Sequence, residues 1–339
     1  MEQGTKARML YVDALRGLTM FLVVYHHVID KIFRDDTLLD QTLQSFRMPV
    51  FFFVSGFVAY KALEFWTGKN TLKRFVKKFR SQVIPTVIFF CAYFYFMRGC
   101  NPILLFLEYG WRQYWFTIVL FEFFVIYFSV NYLTRNHPKA NVVILVTLSV
   151  VSVMIYHGCK KGGLFCLYTD AYEFTRYFPF FIAGTLIRKC YDVVIKYLDK
   201  WAVIIGVIAL FLIQVPAFDD FYHLPEKINN FITIWSIRVT GFVMVFGLFV
   251  KLRDFFTDSS KITKVMCYVG TRTLDIYLMH FFFISHLPIL NLYLIKQYGV
   301  HLGRPSLIVV SALVVCACLA VSYIIRKSKF LGNLLFAAK

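Results

Sequence analysis

Charge is scarce in this chain, and negative charge is scarcest. Only 17% of the 339 residues are charged, with 19 Asp and Glu against 37 Lys and Arg. A soluble domain needs more polar surface than that. With 59% hydrophobic residues, 19% aromatics and a mean hydropathy of +0.64, the chain reads as an integral membrane protein. No set of His, Cys or carboxylates has the spacing of a metal site, so no metal is expected. Of the eight cysteines, Cys91, Cys190, Cys267, Cys316 and Cys318 fall in or beside apolar runs and read as small hydrophobes. Cys159 and Cys166 share one outer loop and could form a disulfide in an oxidising compartment. No cleavable signal peptide is expected, because the first apolar run carries Asp13, Arg16 and two histidines, and no small-residue cleavage site follows it. A soluble module is missing as well. The net charge of +18 is therefore read as basic loops beside anionic lipid and not as nucleic-acid binding.

What the chain has in quantity is apolar runs of bilayer length. Ten are legible, at about 12–31, 46–63, 82–98, 114–133, 141–157, 174–190, 201–217, 229–250, 265–286 and 306–325. They predict an all-α polytopic bundle, a single integral membrane domain over 1–339 with no strong repeat, long linker or appended soluble domain. Counting Lys and Arg in alternate loops gives one side more than twice the other. That asymmetry predicts a multi-pass protein of the inner or plasma membrane with both termini cytoplasmic. The first inner loop, 64–81, reads as an interfacial helix. Leu72, Phe75, Val76 and Phe79 form its apolar face, and Lys73, Arg74, Lys77, Lys78 and Arg80 the other. Those cations serve either as lipid anchors or as contacts to a polyanionic cytosolic ligand.

The runs least like lipid-facing helices are the first and the ninth. Arg16 and His27 lie eleven positions apart. Eleven steps of 100° return to within about 20° of the start, so both share one face, with the imidazole roughly 16 Å deeper. Asp13 falls on the same stripe, one turn from Arg16, and is placed to pair with it. His26 points about 100° away and is the weaker candidate. In the ninth run Arg272 and Asp275 are spaced to pair, and His280 falls at a depth similar to His27, which suggests one shared cavity. Ionisable groups inside a bilayer are costly and mark functional interiors. Arg47 at the start of the second run, Arg80, Glu122 and Arg238 are further intramembrane or boundary charges. Glu122 could orient a histidine or pair with Arg238.

Several of these runs also carry motifs in a familiar order. Asp13-Ala-Leu-Arg-Gly17 with His27 resembles the first-helix signature of the acyltransferase-3 membrane family, and Phe46-Arg-Met-Pro-Val-Phe-Phe-Phe-Val-Ser-Gly56 its second-helix motif. Arg80 through Pro85 is similar to the family's Arg-to-Pro start of the third helix, and Tyr114-Trp-Phe116 to its aromatic-Trp-Phe element. Tyr177-Phe-Pro-Phe-Phe-Ile-Ala-Gly184 and Thr271 through His280 resemble later motifs, so the likeness covers essentially the whole chain. Arg47 departs from relatives that have His in the Met-Pro motif.

The resemblance implies a ten-helix acyltransferase. Such a protein takes an acyl group, usually acetyl, from cytosolic acyl-CoA and places it on a hydroxyl of a carbohydrate or glycolipid precursor. No bound cofactor is implied, since acyl-CoA is a donor substrate. Relatives often carry an extracytoplasmic hydrolase-like domain. Its absence from this sequence leaves acceptor choice to the membrane unit or to a separate extracytoplasmic partner. On this reading His27 is the general base, with His280 and Asp13 in the catalytic set. Arg16, Arg80 and Arg272 are expected to hold the donor phosphates, and Arg47, Glu122 and Trp115 the acceptor. The rival expectation is a proton-coupled transporter or flippase, because intramembrane Asp, Arg and His also serve that chemistry. Matching Gly/Pro-broken helices in two halves, which would favour it, are not evident.

Overall fold

The computed structural model describes residues 9–32, 38–158, 170–214, 226–298 and 304–336, and among these there is no β-strand. Cys159 and Cys166 lie outside the described residues. The chain is an all-α bundle: α1 (Leu10–Ile32), α2 (Leu38–Ala59), α3 (Gly68–Lys78), α4 (Ile84–Ala92), α5 (Pro102–Tyr109), α6 (Trp115–Leu133), α7 (Pro138–Gly158) and α8 (Ala171–Lys189). There follow α9 (Tyr191–Leu198), α10 (Trp201–Gln214), α11 (Glu226–Lys251), α12 (Lys261–Thr271), α13 (Thr273–Ile284), α14 (Leu287–Tyr298), α15 (Arg304–Lys327) and α16 (Lys329–Phe336). Seven helical stretches among the described residues are long and apolar enough to cross a bilayer, and Trp201–Gln214 and Thr273–Ile284 are apolar but shorter. This is a multi-pass membrane protein. The stripe Val143, Val146, Val150 and Met154 on α7 is exposed, as befits a face that meets acyl chains instead of water.

Three expected runs take a different form. The ninth is not one helix but two, α12 and α13, with Arg272 at the junction. The sixth is α8, which carries Glu173, Arg176, Arg188 and Lys189 and is less apolar than its neighbours. The loop helix α3 does not end before the third run. It passes through a wide π-type turn, Phe79–Val83, directly into α4. Pro85 explains the break in pattern, because it has no N–H to return to the carbonyl four residues earlier.

Two glycine-mediated crossings hold the interior. A Cβ on Gly56 would overlap the Phe181 carbonyl, and one on Gly184 the Phe53 carbonyl. Gly17 meets the Met266 carbonyl and Gly270 the Asp13 carbonyl in the same reciprocal manner. Backbones this close are the usual device for helix association where lipid removes the hydrophobic drive. The pairs α2 with α8 and α1 with α12 are accordingly the most extensive in the bundle. Around the first crossing, Phe52 is fully buried, its ring 4.9 Å from Phe116, 5.0 Å from Phe123 and 5.1 Å from Tyr177. The second crossing sets α1 against the start of α13, and that junction positions the site.

Candidate active site

The α1–α12 crossing carries Arg16 on to Thr273, the first residue of α13, with its Nη2 donating to the Thr273 hydroxyl at 3.3 Å. Asp13 stands 3.7 Å from Arg16 Nη1, so the expected pair forms. Three turns further along α1, the His27 ring lies 5.3 Å from that of His280, with 33° between their planes. The two histidines that the sequence placed at similar depth are direct neighbours. His280 is fully buried. Its Nδ1 is 2.6 Å from the Tyr277 carbonyl and 3.2 Å from that of Ile276. A carbonyl can only accept, so Nδ1 carries the hydrogen. Nε2, buried and without a hydrogen-bond partner, is left as the free ring nitrogen. His27 is only half-buried and also faces Phe281, ring to ring at 4.9 Å. His26 turns to α2, where Gln44 Nε2 lies 3.4 Å from its Nδ1. Asp13 does not join the histidines. Fourteen residues of helix, about 21 Å, separate it from His27, and its contact is with Arg16.

Arg16 also opens on to a hollow of about 270 Å³, walled by Ser55, Gln82, Phe116, Thr117 and Leu120. A second hollow of about 400 Å³ adjoins it, sharing Ser55, Val58, Lys78 and Phe124 and adding Lys73, Arg74 and Lys77. Five cations and no carboxylate line the two. Arg74 and Lys78, one turn apart on α3, point into the bundle. Arg74 lies 4.6 Å over the Phe65 ring and Lys78 Nζ 3.7 Å over Phe124. Leu72, Phe75, Val76 and Phe79 are exposed on another face, as an interfacial helix requires. Arg74 and Lys78 therefore serve the interior of the bundle and are not confined to the headgroup plane.

Two of the expected phosphate ligands are elsewhere. Arg80 is exposed and lines neither hollow. Arg272 sits at the α12–α13 junction, 5.8 Å over the Tyr268 ring. Its expected partner Asp275 is held by Arg326 of α15 at 2.8 Å and by the Ser322 hydroxyl. A buried carboxylate takes the bidentate guanidinium offered by a packed neighbour over a side chain at a helix break. Sequence spacing alone had no means of placing α15 there. The cations that line the hollows beside Arg16 include Arg74 and Lys78, readable in the sequence only as part of a basic face.

The expected acceptor residues lie on α2 and α6. Arg47 is buried on α2, within electrostatic range of His26 and His27. Trp115 stacks on Tyr177 at 5.9 Å and 15°. Glu122 neither hydrogen-bonds a histidine nor pairs with Arg238. Its Oε2 is buried without a partner, and the acid whose charge it feels is Asp170, just before α8. Burial, helped by the Glu173 charge, pushes the Asp170 carboxyl up to about 7.

The acyltransferase-3 family model, described as an acyltransferase domain, matches residues 9–327. The chain belongs to that family. No curated protein and no solved structure matches it.

Proposed function

From this family membership we propose that the chain moves an acyl group, acetyl in the first instance, from cytosolic acyl-CoA to a hydroxyl of a cell-surface carbohydrate or its lipid-linked precursor. The observation that carries the reading is the carboxylate-free cationic hollow that ends at Arg16, one α1 stripe away from the His27–His280 pair. The phosphates of CoA suit Arg74, Lys73, Lys77 and Lys78 at the wide end and the Arg16 fork at the narrow end. The pantetheine arm then spans the roughly 16 Å between Arg16 and His27. This places the end bearing both termini in the cytosol. Asp13 acts as a positioning residue that aims Arg16.

At the histidines, the neutral His27 ring takes the proton of the acceptor hydroxyl as its oxygen attacks the thioester carbonyl carbon. The C–S bond breaks, the thiolate leaves with the electron pair, and the imidazolium returns the proton to it. His280, its Nδ1 hydrogen given to the backbone, offers Nε2 as acceptor to a proton on the neighbouring His27 ring. That contact would fix the His27 tautomer as the carboxylate does in a hydrolase triad.

The test is thiol release from acetyl-CoA by inverted membrane vesicles, with labelled acetyl followed into the saccharide fraction. His27→Ala should lose at least about 10²-fold in rate while still binding acetyl-CoA. Release that is equal in both proteins would remove the proposal.

A further inference from the structure

Beyond the histidines, away from the cationic hollow, lies a second polar cluster contributed by α7, α8 and α11. Arg238 of α11 is 5% exposed, and its Nη1 is buried with no hydrogen-bond partner. The guanidinium lies 5.6 Å over the Trp235 ring and 5.9 Å over that of Tyr156, and it donates to the Tyr156 hydroxyl. Trp235 is held flat by Phe180, ring to ring at 5.8 Å and 9°, and the Tyr156 hydroxyl meets that of Tyr172 at 3.0 Å. No carboxylate comes within ion-pair distance of Arg238 among the described residues. The charged group it feels most is another cation, Arg176 of α8, which repels it.

Arg176 lies 3.7 Å from Glu173 and 5.1 Å over the Tyr177 ring, and its own Nε is buried without a partner. Two guanidiniums thus share one ion-paired carboxylate at membrane depth. A buried cation left without its counter-charge is strongly destabilising, so a neighbouring anion would relieve a real deficit. Two further acceptors are orphaned, Glu122 Oε2 and Asp170 Oδ2; they feel each other's charge and not that of either guanidinium, and Asp170 is linked to the cluster through Glu173. Orphaned donors at the guanidiniums with orphaned acceptors set apart from them suit an extended ligand that carries both an oxyanion and hydroxyl groups.

The cluster also reaches the reaction centre. Tyr177, against which Arg176 packs, stacks on Trp115 and feels the charges of Arg47 and Arg238, and the Arg47 charge extends to His27. On the other side, Asp170 is within range of Tyr277, whose ring is 5.7 Å from that of His280.

We propose that Arg238 and Arg176 bind an oxyanion carried by the acceptor, so that this protein acylates an acidic glycan. Glu122 and Asp170 take its hydroxyl hydrogens. The assignment to the acceptor rests on the acyl-transfer reading; the oxyanion site itself does not. The oxyanion is either the carboxylate of a sugar acid or the phosphate that joins a sugar to a lipid carrier. Both demand the same two forks.

The purified protein is titrated with four probes, methyl glucoside, methyl glucuronoside, glucose 1-phosphate and a short-chain isoprenyl diphosphoryl glucose, and binding is read as ligand-induced thermal stabilisation. The expected result is that the charged probes bind about tenfold or more tighter than methyl glucoside. Preference for the glucuronoside assigns the anion to the sugar, and preference for the two phosphorylated probes assigns it to the carrier linkage. Arg238→Gln should abolish the discrimination, and Arg238→Lys should restore part of it. Stabilisation of both variants by acetyl-CoA shows that each is folded. Equal binding of neutral and charged probes to the wild type, or full discrimination in Arg238→Gln, would overturn the site. Failure of acetyl-CoA to stabilise the wild type, with discrimination intact, would instead sink the acyl-transfer reading and leave the oxyanion site standing.

Discussion

The two ends of the interior are polar in opposite ways. On the Arg16 side, five cations line two adjoining hollows without a carboxylate, and four of them come from one helix, α3, in consecutive turns. On the Arg238 side, two guanidiniums, the Glu173 carboxylate and aromatic hydroxyls interleave, and they come from α7, α8 and α11. A field of one sign, half-solvated, draws in any polyanion and is forgiving of its shape. A desolvated mixed cluster is selective, because each misplaced group leaves a buried partner unsatisfied. On the proposed reading the Arg16 end serves capture of the donor and the Arg238 end choice of the acceptor. The two should fail differently when cut.

The largest effect belongs to the point where they meet. His27→Ala should lower the rate at least about 10²-fold and leave acetyl-CoA binding at one end and acidic-probe binding at the other unchanged, both measured by thermal stabilisation. A loss of either binding would mean that His27 holds the bundle together and does not serve chemistry.

Next in size is the α1–α12 crossing. In Gly270→Ala the new Cβ must displace the Asp13 carbonyl. Overpacking of that kind costs about 1–3 kcal/mol and moves Arg16 relative to Thr273. The expected outcome is a lower thermal midpoint together with a raised KM for acetyl-CoA. Gly184→Ala, which meets the Phe53 carbonyl in the other crossing, should lower the midpoint without that change in KM. If both variants raise KM alike, the donor hollow does not depend on the α1–α12 junction.

The capture end can be sharpened by charge alone. Arg74→Gln with Lys78→Gln should raise KM for acetyl-CoA about tenfold or more and flatten its dependence on salt, since fewer ions are exchanged on binding. Arg80→Gln should do neither, because that side chain lines no part of the hollow. A larger effect from Arg80 than from the α3 pair would restore the phosphate role that the sequence suggested for it.

This division also explains what was legible beforehand. The Arg16–His27 register, the Asp13–Arg16 pair and the basic face of α3 each live on one helix, where 3.6-residue periodicity is enough to read them. The helical bundle follows from apolar run length. Illegible were the features made by several helices at once. Asp275 turned out to belong to Arg326, fifty-one positions away, and not to Arg272. Glu122 makes no ion pair with Arg238, and the charge it feels is that of another acid, Asp170. Arg176 and Tyr156 gave no local signal, because an isolated arginine or tyrosine near a helix end is ordinary in a membrane protein. The break at Arg272 was hidden because the apolar run continues across it.

The smallest effect is one of pH, and it too separates the ends. Asp170 is folded with a carboxyl near 7 instead of 3.8, chiefly through burial and then through Glu173. The unfolded chain therefore ionises this group first. Between about pH 4 and pH 7 the folded state binds the extra proton, so stability falls as pH rises through that window, and above it the penalty is complete. Asp170→Asn should match the wild type below about pH 4 and exceed it in thermal midpoint at pH 8. The ionised Asp170, within range of Glu122, Glu173 and the Tyr277 hydroxyl, also adds negative charge beside Glu173, the carboxylate paired with Arg176. Acidic-probe affinity should therefore weaken from pH 6 to pH 8 in the wild type and stay level in Asp170→Asn. Acetyl-CoA, bound in the carboxylate-free hollow, should show no such change over the same range. A shared pH dependence at both ends would mean that they titrate as one site, and the separation of capture from choice would have to be given up.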